Sequence, residues 1–249
     1  MLTIARPTVL ALLAALLFAA CGDDGGQPEA ADQGGGVPVS CNSLGELQAY
    51  RYRVAVRFVS PAATAAPQGT GEPLTAFIDA LSGLFSDFTL EGAYLAPDRT
   101  QAILRFENEE LELRSIGSEA WVRVGTTWQP EDAGDAQLLT PAVVCRDIIS
   151  AITPALAEVE PEAVTLNGLQ TNHYRLTQAD LTGTAPLSGI PVGTEYAVDL
   201  WLAEEGRFPV QLRIVSSEPQ GPAGTSNYQL SMEIRDINDR GIRIERPVP

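Results

Sequence analysis

Hydrophobic and polar residues alternate with a period of two through much of the chain. From Tyr50 to Phe58, tyrosine, valine and phenylalanine occupy the even positions, and arginine occupies three of the odd positions. Because successive side chains of a β-strand point to opposite faces, this segment predicts a strand with one dry and one wet face. Short turns rich in Gly, Asn or Asp separate such segments, so we expect a large antiparallel sheet. The same period occurs in residues 102–106, 111–113, 120–124, 174–176, 196–202, 210–214, 228–234 and 242–244.

Two segments have helical spacing instead. In the first, Pro73 suits the first turn of a helix whose apolar residues recur every three or four positions. The second runs from about Pro141 to Val159, and Pro154 within it predicts either a kink or a new helix capped by Thr153. The apolar stripe of the first helix consists of Leu74, Phe77, Ile78, Leu81, Leu84, Phe85 and Phe88.

These elements predict an α+β fold with one wide antiparallel sheet and two helices available to cover its apolar face. Two short helices would cover a flat sheet incompletely. A sheet curled around the helices would enclose an apolar volume between the two layers. The alternation leaves open whether side chains or a ligand fill that volume.

The first 20 residues have the composition of a bacterial export signal. One positive charge at Arg6 precedes an uncharged apolar stretch, Val9–Ala20, which is too short to span a bilayer as a helix. The sequence Leu17-Phe18-Ala19-Ala20-Cys21 resembles a lipobox, so we expect cleavage after residue 20 and acylation of Cys21. An ordinary secretory signal followed by a chance cysteine is the alternative.

The next residues, 21–40, are rich in Gly, Asp, Pro and Ala and have almost no large apolar side chain, which predicts a disordered tether. This tether would let the following domain, residues 41–249, move roughly 25 Å from its anchor. Two or three acyl chains on Cys21 would hold the protein stably on a membrane. We therefore expect a lipid-anchored, extracytoplasmic protein, either periplasmic or at the cell surface.

The charge balance excludes several classes of function. The chain carries 16 arginines and no lysine against 32 acidic residues, for a net charge of −16. This balance argues against nucleic-acid binding, and the missing lysines exclude Schiff-base and phosphate-loop lysine chemistry. The single histidine, His173, rules out multi-histidine metal sites, and no Gly-x-Ser-x-Gly sequence supplies it with a nucleophile. We expect neither an enzyme nor a metal or other cofactor.

Cys41 and Cys145 are left over once Cys21 is acylated. An even pair of cysteines in an oxidising compartment suggests a disulfide, which would tie the second helix to the start of the domain. Two free thiols are the alternative.

Three local sequences resemble the LppX/LprG-type lipoproteins of mycobacteria and, more distantly, the LolA/LolB lipoprotein carriers. Residues 116–128 resemble a strand–turn–strand that ends in Trp, and residues 166–174 resemble an Asn-Gly-x-x-Thr-x-His-Tyr stretch. Residues 198–210 resemble a Trp-centred hairpin in which an acidic-Gly turn leads to a Pro. The resemblance implies a LolA-like half-barrel, a curved antiparallel sheet of about 9–11 strands wrapped over two or three helices. It also implies a hydrophobic cavity that receives acyl chains.

Alternation and resemblance together assign candidate cavity residues. The walls would come from even-numbered strand residues, and the plug from one face of the first helix. The wall candidates are Val54, Val56, Phe58, Leu104, Phe106, Val198, Leu200, Leu212 and Ile214, and the plug candidates are Phe77, Leu81, Leu84 and Phe85.

The sequence thus predicts a monomeric, membrane-anchored lipoprotein that binds a lipid or lipidated ligand for lipid or lipoprotein transport. An envelope protein is expected as a further partner. Apolar burial would supply the affinity, and no covalent chemistry is needed. The alternative is an envelope sensing or interaction module with a packed, ligand-free core.

Several aromatic and basic residues could serve either the packing of the sheet or the binding of a ligand. We favour cross-strand packing over a ligand mouth for Trp121, Trp128 and Trp201. The basic ladder of Arg51, Arg53 and Arg57 favours pairing with acids on neighbouring strands over contact with a lipid headgroup.

Two polar features are similarly ambiguous. His173 is expected to point to the wetter face, opposite to Tyr174, and we do not favour a role as a catalytic base. Residues 236–241 resemble a calcium loop, but Arg240 takes a ligand position and Pro247 stands where the bidentate Glu should be. A hairpin turn between two strands is favoured there.

Overall fold

The computed structural model describes residues 39–59, 87–106, 109–131, 140–181, 195–217 and 227–247. Within these residues, eleven antiparallel strands form one open sheet, in the order β6-β5-β4-β3-β2-β1-β11-β10-β9-β8-β7. The strands are β1 (Ala49–Val59), β2 (Asp87–Leu95), β3 (Arg99–Phe106), β4 (Glu109–Ile116), β5 (Glu119–Val124), β6 (Thr127–Glu131), β7 (Glu162–Leu166), β8 (Leu169–Thr177), β9 (Glu195–Ala203), β10 (Pro209–Ser217) and β11 (Asn227–Arg235).

The helical part of the described chain is small. A single turn, α1 (Ser43–Glu46), precedes β1. Between β6 and β7, α2 (Pro141–Val144), a π-helical turn (Cys145–Ile149) and α3 (Ser150–Leu156) follow one another without a break. We call these residues the helical segment 141–156. No helix in the described ranges, this segment included, is both long and apolar enough to cross a membrane.

The predicted single antiparallel sheet is confirmed, with changes to its strands. Eight of the nine predicted strands are present, and β2, β6 and β7 are additional. The prediction for Phe88 is wrong, because this residue lies in β2 rather than in a helix. The rest of the first predicted helix falls outside the described residues. No new helix starts at Thr153, because α3 runs through Pro154 and the Thr153 hydroxyl donates to the carbonyl of Ile149 (2.9 Å).

The sheet has two faces of different character. We call the face that carries Tyr50, Tyr52, Val54 and Val56 the inner face, and the face that carries the arginines of β1 the outer face. The inner-face residues named here are 1–6% exposed and belong to the main hydrophobic cluster. Buried residues of the helical segment 141–156, among them Ile149 and Ile152, belong to the same cluster.

A disulfide joins Cys41 to Cys145, so the predicted pairing is confirmed. It connects Cys41, two residues before α1, with the first residue of the π-helical turn, over a sequence separation of 104. In the chain-entropy model, closing a loop of this length stabilises the fold by roughly 4–5 kcal/mol. On the inner face, the rings of Tyr50 and Tyr94 stack with their centroids 5.1 Å apart.

The prediction that residues 242–244 form a strand is wrong, and so is the hairpin turn predicted before it. After β11 the backbone turns at Asp236 and Asn238, which have φ values of 53° and 58°. Residues 236–247, the C-terminal arm, then cross the outer face. Ile242 and Ile244 are 1% and 2% exposed and pack against Ala49, Ala93 and Leu95. Apolar and polar residues alternate here because the arm is extended, although the arm pairs with no strand.

The two edges of the open sheet are short. Strands β6 and β7 have five residues each, and β6 contains Pro130. Short edge strands and proline both disfavour pairing with a further strand. The sheet therefore ends at protected edges within the described chain.

Candidate functional site

The inner face carries continuous rows of apolar side chains across eight strands. One row crosses the sheet from β8 to β4 as Tyr174, Leu200, Leu212, Met232, Val54, Leu90, Leu104 and Leu111. A second row runs beside it from β8 to β3 as Leu176, Val198, Ile214, Leu230, Val56, Phe88 and Phe106. Neighbours within a row are direct cross-strand partners, whose Cβ atoms lie about 4.5–5.5 Å apart.

The predicted wall residues with described side chains all fall in these two rows. Seven of the eight are at most 8% exposed, and Phe106 is half-buried. Phe58 continues the β1 pattern by register opposite Tyr228, and its side chain is outside the description. The plug candidates Phe77, Leu81, Leu84 and Phe85 are outside the described residues altogether.

Sequence reasoning missed the contribution of β2 to this face. Phe88 and Leu90 join the rows of β1 to those of β3. The alternation of β2 is short and follows a segment of helical spacing, so Phe88 fitted the helical stripe equally well. Leu230 and Met232 were recognised as strand residues, and only the register shows that they lie between the β1 and β10 walls.

The inner face is much larger than the helical segment that packs on it. At 1.5 Å per residue, the segment 141–156 is about 24 Å long and about 10 Å wide. Eleven strands at about 4.8 Å spacing span about 50 Å. On the β4–β5 side, Leu113, Ala120 and Val122 are at most 4% exposed, yet they lie outside the described cluster that contains the helical segment. The described helices therefore cover only part of the inner face.

The three tryptophans lie on the outer face, away from the apolar rows. Trp128 packs under the guanidinium of Arg114, whose Cζ is 4.8 Å from the ring centroid, and Trp121 packs under Arg246 at 5.2 Å. Trp201 stacks on His173 with the centroids 4.1 Å apart and the planes 4° from parallel. These contacts agree with the packing interpretation, and none of the three rings lines the inner face.

Two members of the basic ladder pair with acids, as expected. Arg51 lies 3.4 Å from Asp236, and Arg53 lies 3.6 Å from Glu91. Arg57 forms no ion pair with any residue in the described ranges.

A buried carboxylate on the outer face is fully paired. Glu112 is 4% exposed and accepts hydrogen bonds from Gln101 (2.8 Å) and Arg114 (2.9 Å), and it pairs with Arg123 (3.0 Å). Such a network satisfies the buried charge and leaves no group free for chemistry.

His173 points to the outer face as predicted, but it is only 6% exposed because Trp201 covers it. Its Nε2 lies 2.9 Å from Asp199 Oδ1. No hydroxyl or thiol among the described residues is hydrogen-bonded to this imidazole. In the described ranges, no three His, Cys, Asp or Glu side chains are grouped so that they could hold a metal ion.

Burial controls the ionisation of the inner-face tyrosines. Desolvation raises the pKa of Tyr50 and of Tyr52 far above its usual range, and the neighbouring tyrosine in each case adds to the shift. Desolvation also raises the pKa of Tyr174, and Arg207 partly opposes this effect. The inner face thus disfavours charge, in keeping with an apolar surface.

A scan against protein-family models and a search of curated proteins found no match. Among solved structures, the fold is similar to the crystal structure of LprF from Mycobacterium bovis, with 13% sequence identity and a TM-score of 0.40. The match covers 87% of this chain and 100% of the LprF chain. LprF is a lipoprotein of the LppX/LprG type, the group that the three sequence motifs resemble. A TM-score below 0.5 reflects a loose superposition and supports no inference about ligand or activity.

Proposed function

We propose that the protein is an exported lipoprotein that holds the acyl chains of a lipid or lipidated ligand against the inner face of its sheet. The observation that carries this proposal is the pair of apolar rows, which run uninterrupted across eight and seven strands. The helical segment 141–156 is too narrow to cover them all. Apolar contact of this kind contributes about 0.8 kcal/mol per buried methylene, so four or five methylenes contribute about 3–4 kcal/mol.

The number of strands favours a curled sheet, the half-barrel form, around the ligand. Open sheets of more than about ten strands generally curl, because each strand is rotated relative to the next. Curling brings the two ends of each apolar row toward each other and encloses the volume between them. The helical segment 141–156, together with the part of the first predicted helix that precedes Phe88, would occupy part of that volume.

The attachment in this proposal is an acylated Cys21, followed by the tether of residues 21–40. It places the domain on the extracytoplasmic side, as a monomer within reach of the bilayer that supplies its ligand. Lipid or lipoprotein transport, with handover to an envelope partner, is the role that follows. The proposal requires no catalytic residue and no cofactor.

The test combines native mass spectrometry of the purified full-length protein with a matched pair of substitutions in β3. Leu104→Trp enlarges an inner-face residue, whereas Ile103→Trp enlarges its neighbour on the outer face. We expect the wild type and Ile103→Trp to retain a co-purifying lipid, and Leu104→Trp to retain at least tenfold less with its thermal transition preserved. Val56→Phe is the smaller alternative if Leu104→Trp does not fold.

The second candidate function is an envelope interaction module with a packed core. It is favoured by the low exposure of the wall residues, with Leu200 and Leu212 at 0%. In a packed core, Leu104→Trp destabilises the fold by about 1–3 kcal/mol and wild-type preparations contain no lipid. That combination would reject the acyl-chain proposal.

A further inference from the structure

The outer face contains a groove of about 630 Å³ that the proposed acyl-chain function does not use. Its floor is made of small side chains on three neighbouring strands. Ala55 of β1 lies directly between Ser231 of β11 and Thr89 of β2. Longer polar side chains rise on both sides of this floor, so the groove runs across the strands.

The walls of the groove consist of two cross-strand rows. One row contains Gln211, Glu233 and Arg53, and the other contains Gln229, Arg57 and Asp87. Arg105 of β3 closes one end beside Thr89. The volume lies within the range of about 300–1,000 Å³ that small-molecule sites occupy.

Many polar groups of the groove have no partner in the described chain. Neither the guanidinium of Arg57 nor the amides of Gln211 and Gln229 form a hydrogen bond or ion pair with a described residue, and the same holds for the hydroxyls of Ser231 and Thr89. By contrast, Arg105 donates to Glu91 (2.7 Å) and to Glu110 (3.0 Å). The groups that remain available are mostly amides and hydroxyls, which both donate and accept hydrogen bonds.

This combination favours a neutral, hydroxylated ligand over a charged one. A phosphate would meet the carboxylates of Asp87 and Glu233 in the same groove, and a cation would meet three guanidinium groups. Amides and hydroxyls suit a ligand whose hydroxyl groups donate and accept in turn.

Trp201 provides an aromatic surface beside the groove. It is the cross-strand partner of Gln211, and it stacks on His173 of the strand on its other side. Trp201 does not line the groove itself, and it lies one strand beyond the wall residue Gln211. A rigid aromatic face is suited to packing against the C–H face of a sugar ring.

We propose that the outer-face groove binds a sugar, either as a free oligosaccharide or as the headgroup of a glycolipid. The site is separate from the inner face, so it does not depend on the acyl-chain proposal.

The experiment measures binding of maltotriose, mannotriose and galactotriose to the full-length protein by isothermal titration calorimetry. Ala55→Trp fills the floor of the groove, and Ala197→Trp places the same side chain on the outer face of β9, outside the groove. We expect at least one trisaccharide to bind, Ala55→Trp to weaken its binding at least tenfold, and Ala197→Trp to change it less than twofold. Ser231→Leu fills the same floor if Ala55→Trp does not fold.

Gln229→Ala tests the hydrogen-bonding wall without filling the groove, and loss of one hydrogen bond predicts about fivefold weaker binding. Phosphatidylcholine vesicles with and without monogalactosyldiacylglycerol separate the two sources of the sugar. Galactolipid-dependent binding that Ala55→Trp abolishes identifies a headgroup, whereas binding of free trisaccharides alone identifies an oligosaccharide. The proposal is overturned if none of these probes binds, if Ala55→Trp leaves binding unchanged, or if inorganic phosphate binds in their place.

Discussion

The absence of a side chain at Gly92 makes room for an aromatic ring. Gly92 is the cross-strand partner of Tyr52, and a Cβ added to it would overlap the ring and hydroxyl of Tyr52 and the carbonyl oxygen of Gln101. Tyr52 is 1% exposed, so its ring has little space to retreat. The glycine is therefore required by packing on the inner face and not by its backbone conformation.

We expect Gly92→Ala to lower the free energy of unfolding by at least about 2 kcal/mol, because overpacking forces the ring or the backbone to move. Gly45→Ala is the matched control, since a Cβ added there meets no atom within 4 Å, and it should change stability by less than about 0.5 kcal/mol. Urea unfolding of both variants is the measurement. If the two variants unfold at the same urea concentration, the inner face accommodates the added methyl group and this prediction is wrong.

A second prediction at the residue scale concerns alkaline pH. The raised pKa of Tyr50, caused first by burial and then by Tyr94, keeps its phenol protonated in the folded state. In the unfolded chain the phenol ionises above about pH 10, so its stabilising effect is complete below that pH and is lost as the pH rises further. At pH 11 the loss for one such tyrosine is roughly 1.4 kcal/mol.

Tyr50→Phe should therefore have the stability of the wild type at pH 8 and exceed it at pH 11, because the phenyl ring of the variant has no hydroxyl to ionise. Thermal unfolding followed by circular dichroism at the two pH values measures the difference. An equal loss of stability in both proteins between pH 8 and pH 11 would contradict burial of this phenol.

At the scale of elements, the C-terminal arm takes the place of the predicted last strand. Its buried side chains hold it against the outer face of the sheet. Arg99 and Arg114 each donate to its backbone, at the carbonyls of Ile244 and Glu245 (3.3 Å each). Arg246 also pairs with Glu119 of β5. The arm thus joins the ends of β1, β2, β3, β4 and β5 from the outside.

Ile244→Ala should destabilise the fold by about 2–4 kcal/mol, because it removes a fully buried side chain from this contact. Glu245→Ala changes the next residue, whose side chain is exposed and whose carbonyl oxygen is retained, so it should have almost no effect. Guanidinium unfolding distinguishes the two. If the variants prove equally stable, the arm does not contribute to the stability of the sheet.

The elements that alternation predicted correctly are those with one buried and one solvated face. Strands β1, β9, β10 and β11 lie at or near the centre of the sheet, where burial of one face imposes a clear period of two. The missed edge strands β6 and β7 are short and half-exposed, so burial imposes almost no pattern on them.

The wrong prediction of a strand over residues 242–244 has a different physical cause. Ile242 and Ile244 show that an extended segment alternates when it packs on a sheet, whether or not it forms hydrogen bonds in one. For the candidate site, alternation predicted the correct face for the wall residues, because the position of a residue in its strand determines on which face of the sheet its side chain lies. The rows themselves depend on register between distant strands, which no local pattern contains.

At the scale of the whole molecule, the predicted acylation of Cys21 determines where the protein is found. Cys21→Ser should move the protein from the detergent phase to the aqueous phase in Triton X-114 partitioning, because it removes the site of acylation. Gly35→Ala, a change within the predicted tether, should leave the partitioning as in the wild type. Detergent-phase recovery of Cys21→Ser would mean that the protein is held by something other than acyl chains.

The position of β1 has a mechanical consequence. This strand, the first in the described ranges, is sixth in the order of eleven, with nine residue pairs to β11 on one side and nine to β2 on the other. A force applied through the residues before Val39 enters the sheet at its middle and along the strand axis, so both hydrogen-bond ladders resist it in shear rather than opening one bond at a time. The disulfide at Cys41 diverts part of the same force into the helical segment 141–156 before it reaches β1. A pull on the residues before Val39 is therefore shared among the most highly connected parts of the fold, and the edge strands carry none of it directly.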